Sequence, residues 1–182
     1  MSVRDRRLES DYQGLLRLCM SNKNIKLVDY IPEPRKYVIQ MSNVVGVESI
    51  NSDDSPRYRT QHILEISQFP AKYPDPLYEA IPTVYFTTPI FHPNVISFDP
   101  IEKKAWTCIY GTNMTENQPV NLLVLRLITM IQYANTDFGS PANHSAKNWY
   151  DRNKHKGWFP IGKKLSNEPP ENQKVKFRGK KT

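Results

Sequence analysis

A thiol and a carboxamide stand close together in the stretch Pro82 to Cys108, which reads PTVYFTTPIFHPNVISFDPIEKKAWTC. From Thr83 to Thr87 the β-branched and aromatic residues crowd together as they do in a strand packed on both sides. Pro89, Pro93 and Pro100 then forbid regular structure, so a shaped loop must carry Asn94 and Cys108 on one surface. The chemistry this pairing allows is acyl transfer. A thioester keeps a reactivity toward amines that an oxygen ester loses, which makes a cysteine the fitting carrier. An amide donor placed beside it can stabilise the oxyanion of the tetrahedral intermediate, and Asn94 would supply that donor or hold the loop in shape. His92 allows a rival reading, a cysteine-protease dyad with Cys108; its imidazole otherwise hydrogen-bonds within the turn.

Other chemistries find little support. His62, His92, His144 and His155 show no ligand spacing with cysteine or carboxylate partners, so no metal is expected. There is no glycine-rich phosphate loop, so no nucleotide cofactor is expected and the chain cannot activate an acyl group with ATP by itself. Cys19, the other cysteine, falls on the apolar stripe of a helix and reads as a core thiol.

The elements that position the loop follow from periodicity. Leu8, Tyr12, Leu15, Leu16 and Cys19 recur at three- and four-residue steps, which predicts an amphipathic helix over residues 4–22. Arg4, Arg6 and Arg7 stand at its start, where they oppose the macrodipole, and a partner-docking role would explain them. Strand-type residues at 25–30, 36–41, 58–66 and 83–87 predict a four-stranded antiparallel meander. Val95 to Phe98 and Ile101 to Trp106 flank Asp99-Pro100 and suggest a small hairpin that delivers Cys108. Val120 to Tyr133 is apolar around most of its circumference and reads as a helix buried across the sheet, and residues 143–153 fit a last helix with Ala146, Trp149 and Tyr150 inward. The fold class is α+β.

These motifs resemble the ubiquitin-conjugating enzymes. Phe86-Thr87-Thr88-Pro89-Ile90-Phe91-His92-Pro93-Asn94, the lone Cys108, the helical stretch from Val120 and the turn Ser140-Pro141-Ala142-Asn143 follow the family's order, and Phe69-Pro70-Ala71-Lys72-Tyr73-Pro74 is similar to its F-P-x-x-Y-P. The likeness covers the chain from about Arg6 to Tyr150. It implies that Cys108 accepts a ubiquitin-like protein as a thioester and passes it to an amine on a protein substrate, after a separate activating enzyme has charged the cargo. By the same resemblance Ser140, with Asp137 nearby, orients the incoming lysine, and Arg4, Arg6 and Arg7 on the first helix face the activating enzyme. Three features depart from the family. Asp54-Ser55-Pro56-Arg57-Tyr58 replaces its T-P-Y-E-G-G turn, the segment before the cysteine is longer, and Ile96 stands where some members carry an aromatic residue. In the first two of these departures the chain is similar to stand-alone conjugating enzymes of bacterial antiphage operons. The alternative is a catalytically inactive relative that binds ubiquitin-like proteins as a cofactor of an active enzyme; such variants usually lack the cysteine that this chain retains.

Composition bounds these readings. The 182 residues are enough for one domain with a proper core and an appendage, taken as residues 1–162 and a basic, unstructured tail over 163–182. The net charge of +7 invites a nucleic-acid partner, yet Lys156 to Lys181 contributes eight basic residues against Glu168 and Glu171. The excess therefore belongs to the tail and not to a groove in the fold, which argues against nucleic acid. No apolar run is long enough for a bilayer, MSVRDRRLES lacks the core of a secretory signal, and the two cysteines form no CxxC. A reducing, cytoplasmic location is expected.

Overall fold

A computed structural model describes residues 1–74, 81–109, 118–134, 138–159 and 161. In chain order these form α1 (Val3–Ser21), β1 (Ile25–Pro32), β2 (Arg35–Ile50), β3 (Pro56–Ser67), β4 (Thr83–Phe86), β5 (Ala105–Trp106), α2 (Val120–Ile131) and α3 (His144–Asn153). The fold is α+β. Among the described residues the antiparallel sheet has five strands in the order β1-β2-β3-β4-β5, one more than the meander expected from the sequence. The added strand is two residues long and pairs Trp106 with Tyr85 and Ala105 with Phe86. It is too short to show a period. The basic tail lies outside the described residues.

Helix α1 starts on a capping box in which the Asp5 amide donates to Ser2 Oγ and the Ser2 amide to Asp5 Oδ2, both at 3.1 Å. These bonds hold the Asp5 carboxyl below its usual range, and its negative charge answers the dipole that the three arginines oppose. The buried face is Leu8, Asp11, Gly14, Leu15 and Leu18. Tyr12, Leu16 and Cys19 are half-buried along its edge, so the stripe is rotated from the one the apolar residues alone suggested. The rotation follows from where α1 packs, against both β1 and α2.

Helix α2 buries Val120, Leu123, Val124, Leu127, Ile128, Met130 and Ile131 against the sheet. It passes so close to β2 that a Cβ on Gly46 would lie 2.4 Å from Ile131 Cγ2, so only glycine fits there. A second core of Val47, Tyr133, Phe138, Trp149, Tyr150 and Ile161 sits under α3. The tip between β2 and β3 is tied to α3, because Trp149 Nε1 donates to the Asp54 carbonyl at 3.0 Å and Asn153 Nδ2 to Asp54 Oδ2 at 2.8 Å. Asp54 has a positive φ of 67°, the conformation that a glycine would otherwise supply in this turn. Among the described residues no helix is long and apolar enough to cross a membrane.

Candidate functional site

Beyond β4 the chain leaves the sheet through three anchors: the Thr87 amide donates to the Ile63 carbonyl at 2.9 Å, Thr88 Oγ1 accepts from the Ile63 amide at 3.1 Å, and the Phe91 amide donates to the Val47 carbonyl at 2.8 Å. The next three residues form a tight turn. His92 Nδ1 accepts from the Asn94 amide at 3.0 Å, and the Val95 amide returns to the His92 carbonyl at 3.0 Å. Tyr133 Oη donates to the Phe91 carbonyl at 2.7 Å, so the turn just past α2 holds this loop from below.

The imidazole of His92 is wholly buried, with Tyr133 and Phe138 ring centroids at 4.5 and 5.5 Å. Burial pushes its pKa down to about 3, against a smaller opposing pull from the Met130 carbonyl. The ring is therefore neutral near pH 7. With Nδ1 accepting from Asn94 and no hydrogen bond to Cys108 among the described residues, its place is that of a turn-former. A base must first reach the proton it takes, and this geometry gives the protease dyad no support.

The structure brings Asn94 and Cys108 together through the backbone. The Cys108 amide donates to the Asn94 carbonyl at 2.8 Å, the Ile96 amide to the Trp106 carbonyl at 3.0 Å, and Val95 bridges Thr107 in antiparallel fashion. The Thr107 amide donates to the Val84 carbonyl at 2.9 Å, which locks this small ribbon to β4. Asp99 and Lys104 close its far end as a second bridge, the hairpin foreseen around Pro100. Alternation along 104–108 sends Ala105 and Thr107 into the core and leaves Trp106 exposed, with Cys108 half-buried at the end. Asn94 is buried, and its side-chain amide makes no hydrogen bond among the described residues.

The turn at 140–143 docks onto the same loop. The Asn143 amide donates to the Pro93 carbonyl at 2.8 Å, while Asn143 Oδ1 caps α3 by accepting from the Ala146 amide at 3.0 Å. Ser140 is exposed on this turn. Asp137 lies outside the described residues. Three chain segments thus meet at Pro93, Asn94 and Cys108, held by main-chain bonds.

At the start of α1 the three arginines part ways. Arg4 donates to the Pro70 and Phe69 carbonyls at 3.2 and 3.3 Å, and Arg7 Nε bonds both carboxylate oxygens of Asp11 at 3.0 and 3.1 Å while lying over the Tyr73 ring. Arg6 is exposed. Two of the three cations therefore have a structural reason to be where the dipole disfavours them. Asp11, which the apolar pattern of α1 passes over, is wholly buried and also accepts from Tyr73 Oη and from the Val120 amide at 3.2 Å. A carboxylate on the buried face of the first helix was the available signal.

Cys19 is half-buried on α1, and its thiol is pushed up by desolvation. Among the described residues no three histidine, cysteine or carboxylate side chains converge as a metal site. No protein-family model matches the sequence, and no curated protein matches it, so the functional reading rests on the motifs and on the geometry of this loop.

Proposed function

We propose that the chain is a ubiquitin-conjugating-type acyl carrier with the corresponding fold, working in the cytoplasm beside a separate activating enzyme. The observation that carries this reading is the joining of three motif segments at one point: Cys108 bonds Asn94 through the backbone, and Asn143 of the Ser-Pro-Ala-Asn turn bonds Pro93. In the first step the Cys108 thiolate attacks the thioester carbonyl of a charged ubiquitin-like protein, a new carbon–sulfur bond forms, and the donor thiolate leaves. In the second step an amine of the target attacks that carbonyl. The intermediate's oxyanion accepts a hydrogen bond from the Asn94 carboxamide, the Cys108 thiolate is expelled as the amide forms, and the amine's surplus proton goes to water. Ser140, at the exposed lip of the docked turn, is the residue that meets the incoming amine. His92 keeps the turn in shape and moves no proton.

The test uses a ubiquitin-like protein supplied as a C-terminal thioester of a small thiol, which removes the need for the activating enzyme. A non-reducing gel should show an adduct that disappears with reductant, forms in Cys19→Ala and is absent from Cys108→Ala. An adduct that persists in Cys108→Ala, or that Cys19→Ala abolishes while the fold is retained, refutes the assignment.

A further inference from the structure

Helix α2 ends on a left-handed turn. The Tyr133 amide donates to the Met130 carbonyl at 2.8 Å and the Ala134 amide to the Thr129 carbonyl at 3.0 Å, which ties off the last carbonyls of the helix around one residue of positive φ. That residue is ordinarily glycine, because a Cβ is strained in this conformation, and here it is Tyr133 at φ 54°. Ending the helix gives no reason for an aromatic side chain at this place. A residue held against its backbone preference points to work done by its side chain.

That side chain reaches the loop of Cys108. Tyr133 is buried, and its ring is fixed by Tyr150, stacked at 5.6 Å, by Phe159 at 4.8 Å and by Phe138 at 6.1 Å. The Ile161 amide clasps the same turn by donating to the Gln132 carbonyl at 2.7 Å. With the ring so held, Tyr133 Oη meets the Phe91 carbonyl at 2.7 Å, and the ring lies 4.5 Å from the His92 imidazole. From there the bonds run on without a gap: His92 Nδ1 accepts from the Asn94 amide, and the Asn94 carbonyl accepts from the Cys108 amide. We infer that Tyr133 is a positioning residue for Asn94 and Cys108, its hydroxyl fixing the start of the turn on which both depend. The anchoring stands on these contacts alone, while its meaning for catalysis rests on the reading of Cys108 as the acyl carrier.

The experiment compares the full chain with Tyr133→Phe, which keeps the ring and its packing and removes only the hydroxyl. Hydrogen exchange of single amides, followed by NMR, reads the loop directly. If the turn opens as one unit, the amides of Asn94, Val95 and Cys108 should exchange faster by a common factor of about five, the effect of losing one hydrogen bond. The amides of Thr87 and Thr107, bonded to the Ile63 and Val84 carbonyls of the sheet, are internal controls and should keep their rates. Unchanged exchange at Asn94 and Cys108 overturns the inference, and so does an equal rise at Thr87 and Thr107, which makes Tyr133 a contributor to overall stability only. In the thioester assay, loading of Cys108 should stay near normal while discharge to amine slows about threefold or more, because a loosened Asn94 is less often in place for the oxyanion. Discharge at the wild-type rate beside faster exchange overturns the positioning role. Exchange needs no cargo, so absence of any adduct on Cys108 refutes the acyl-carrier reading and leaves the anchor standing, whereas unchanged exchange beside normal loading refutes the anchor alone.

Discussion

Acidification should destabilise this protein before most of its carboxylates titrate. His62 is buried between the sheet and α2, with Nε2 3.1 Å from the Val44 carbonyl and no side-chain partner for Nδ1 among the described residues. Burial pushes its pKa down to about 4, and the nearby Arg59 charge adds to the effect against the Val44 carbonyl. His92 is held at about 3, chiefly by burial, and protonating its Nδ1 would also break the bond from Asn94 that makes the turn. Both folded values lie below the ordinary 6.5, so the unfolded chain takes up protons that the folded state refuses as the pH falls through 6.5. Stability is complete above that value and is lost progressively toward pH 4. Linkage gives a loss of about 2 kcal/mol for each ring between pH 7 and pH 5, so about 4 kcal/mol together. That is a large share of the roughly 5–15 kcal/mol by which domains are stable. Urea unfolding followed by tryptophan fluorescence at pH 7, 6 and 5 measures it. His62→Gln, destabilised at pH 7, should lose only about half as much on going to pH 5. A wild-type loss below about 1 kcal/mol over this range, or an undiminished loss in the variant, refutes the burial argument.

Asn94→Ala should load Cys108 at close to the normal rate and discharge to amine roughly one to two orders of magnitude more slowly, as a lost oxyanion donor does; equal losses in loading and discharge rates would make Asn94 a structural residue of the loop. Arg6→Glu should slow loading by the activating enzyme most at low ionic strength while leaving the unfolding curve unchanged, because its side chain is exposed. Arg7→Glu should instead lower stability, since it sets a second acid against buried Asp11, and a denaturation curve separates the two cases. Gly46→Ala should cost about 1–3 kcal/mol through the clash with Ile131 Cγ2, part of which Ile131→Leu restores in the double variant by removing that methyl.

The elements legible in the sequence were those whose cause is local. Helix α2 declares itself because one stretch of residues supplies both its propensity and its buried face, and the loop after β4 declares itself because Pro89, Pro93 and Pro100 leave no regular alternative. β5 was expected only as the end of the hairpin arm Ile101 to Trp106 and not as a fifth strand of the sheet, because that pairing exists only by virtue of Tyr85 and Phe86 beside it. The rotated face of α1 was missed for a related reason. Asp11 counts as polar in any periodic pattern, yet it is buried because Arg7, Tyr73 and Val120, at separations of 4, 62 and 109 residues, converge on it. Arg4 and Arg7 looked like surface charges in want of a partner because the carbonyls and carboxylate that hold them lie elsewhere in the chain or on a face thought apolar.

The candidate site divides along the same line. Cys108 and His92 could be singled out because cysteine and histidine are rare in this chain, and Asn94 because it follows His92-Pro93, whereas what joins them is main-chain hydrogen bonding, which side-chain identity does not encode. The bond from Asn143 to Pro93 is such a case: any residue but proline could donate it, and asparagine is needed there only to cap α3 with its side chain. One residue therefore fixes both where α3 begins and where the turn carrying Ser140 lies against the loop of Cys108. Substituting Asn143 by serine keeps a cap and the amide together, so Ser140 should stay in place; substitution by proline removes the amide donor and should release the turn from Pro93. If Ser140 meets the incoming amine, only the second change should slow discharge while leaving loading of Cys108 intact, and equal discharge rates in the two variants would detach Ser140 from the reaction.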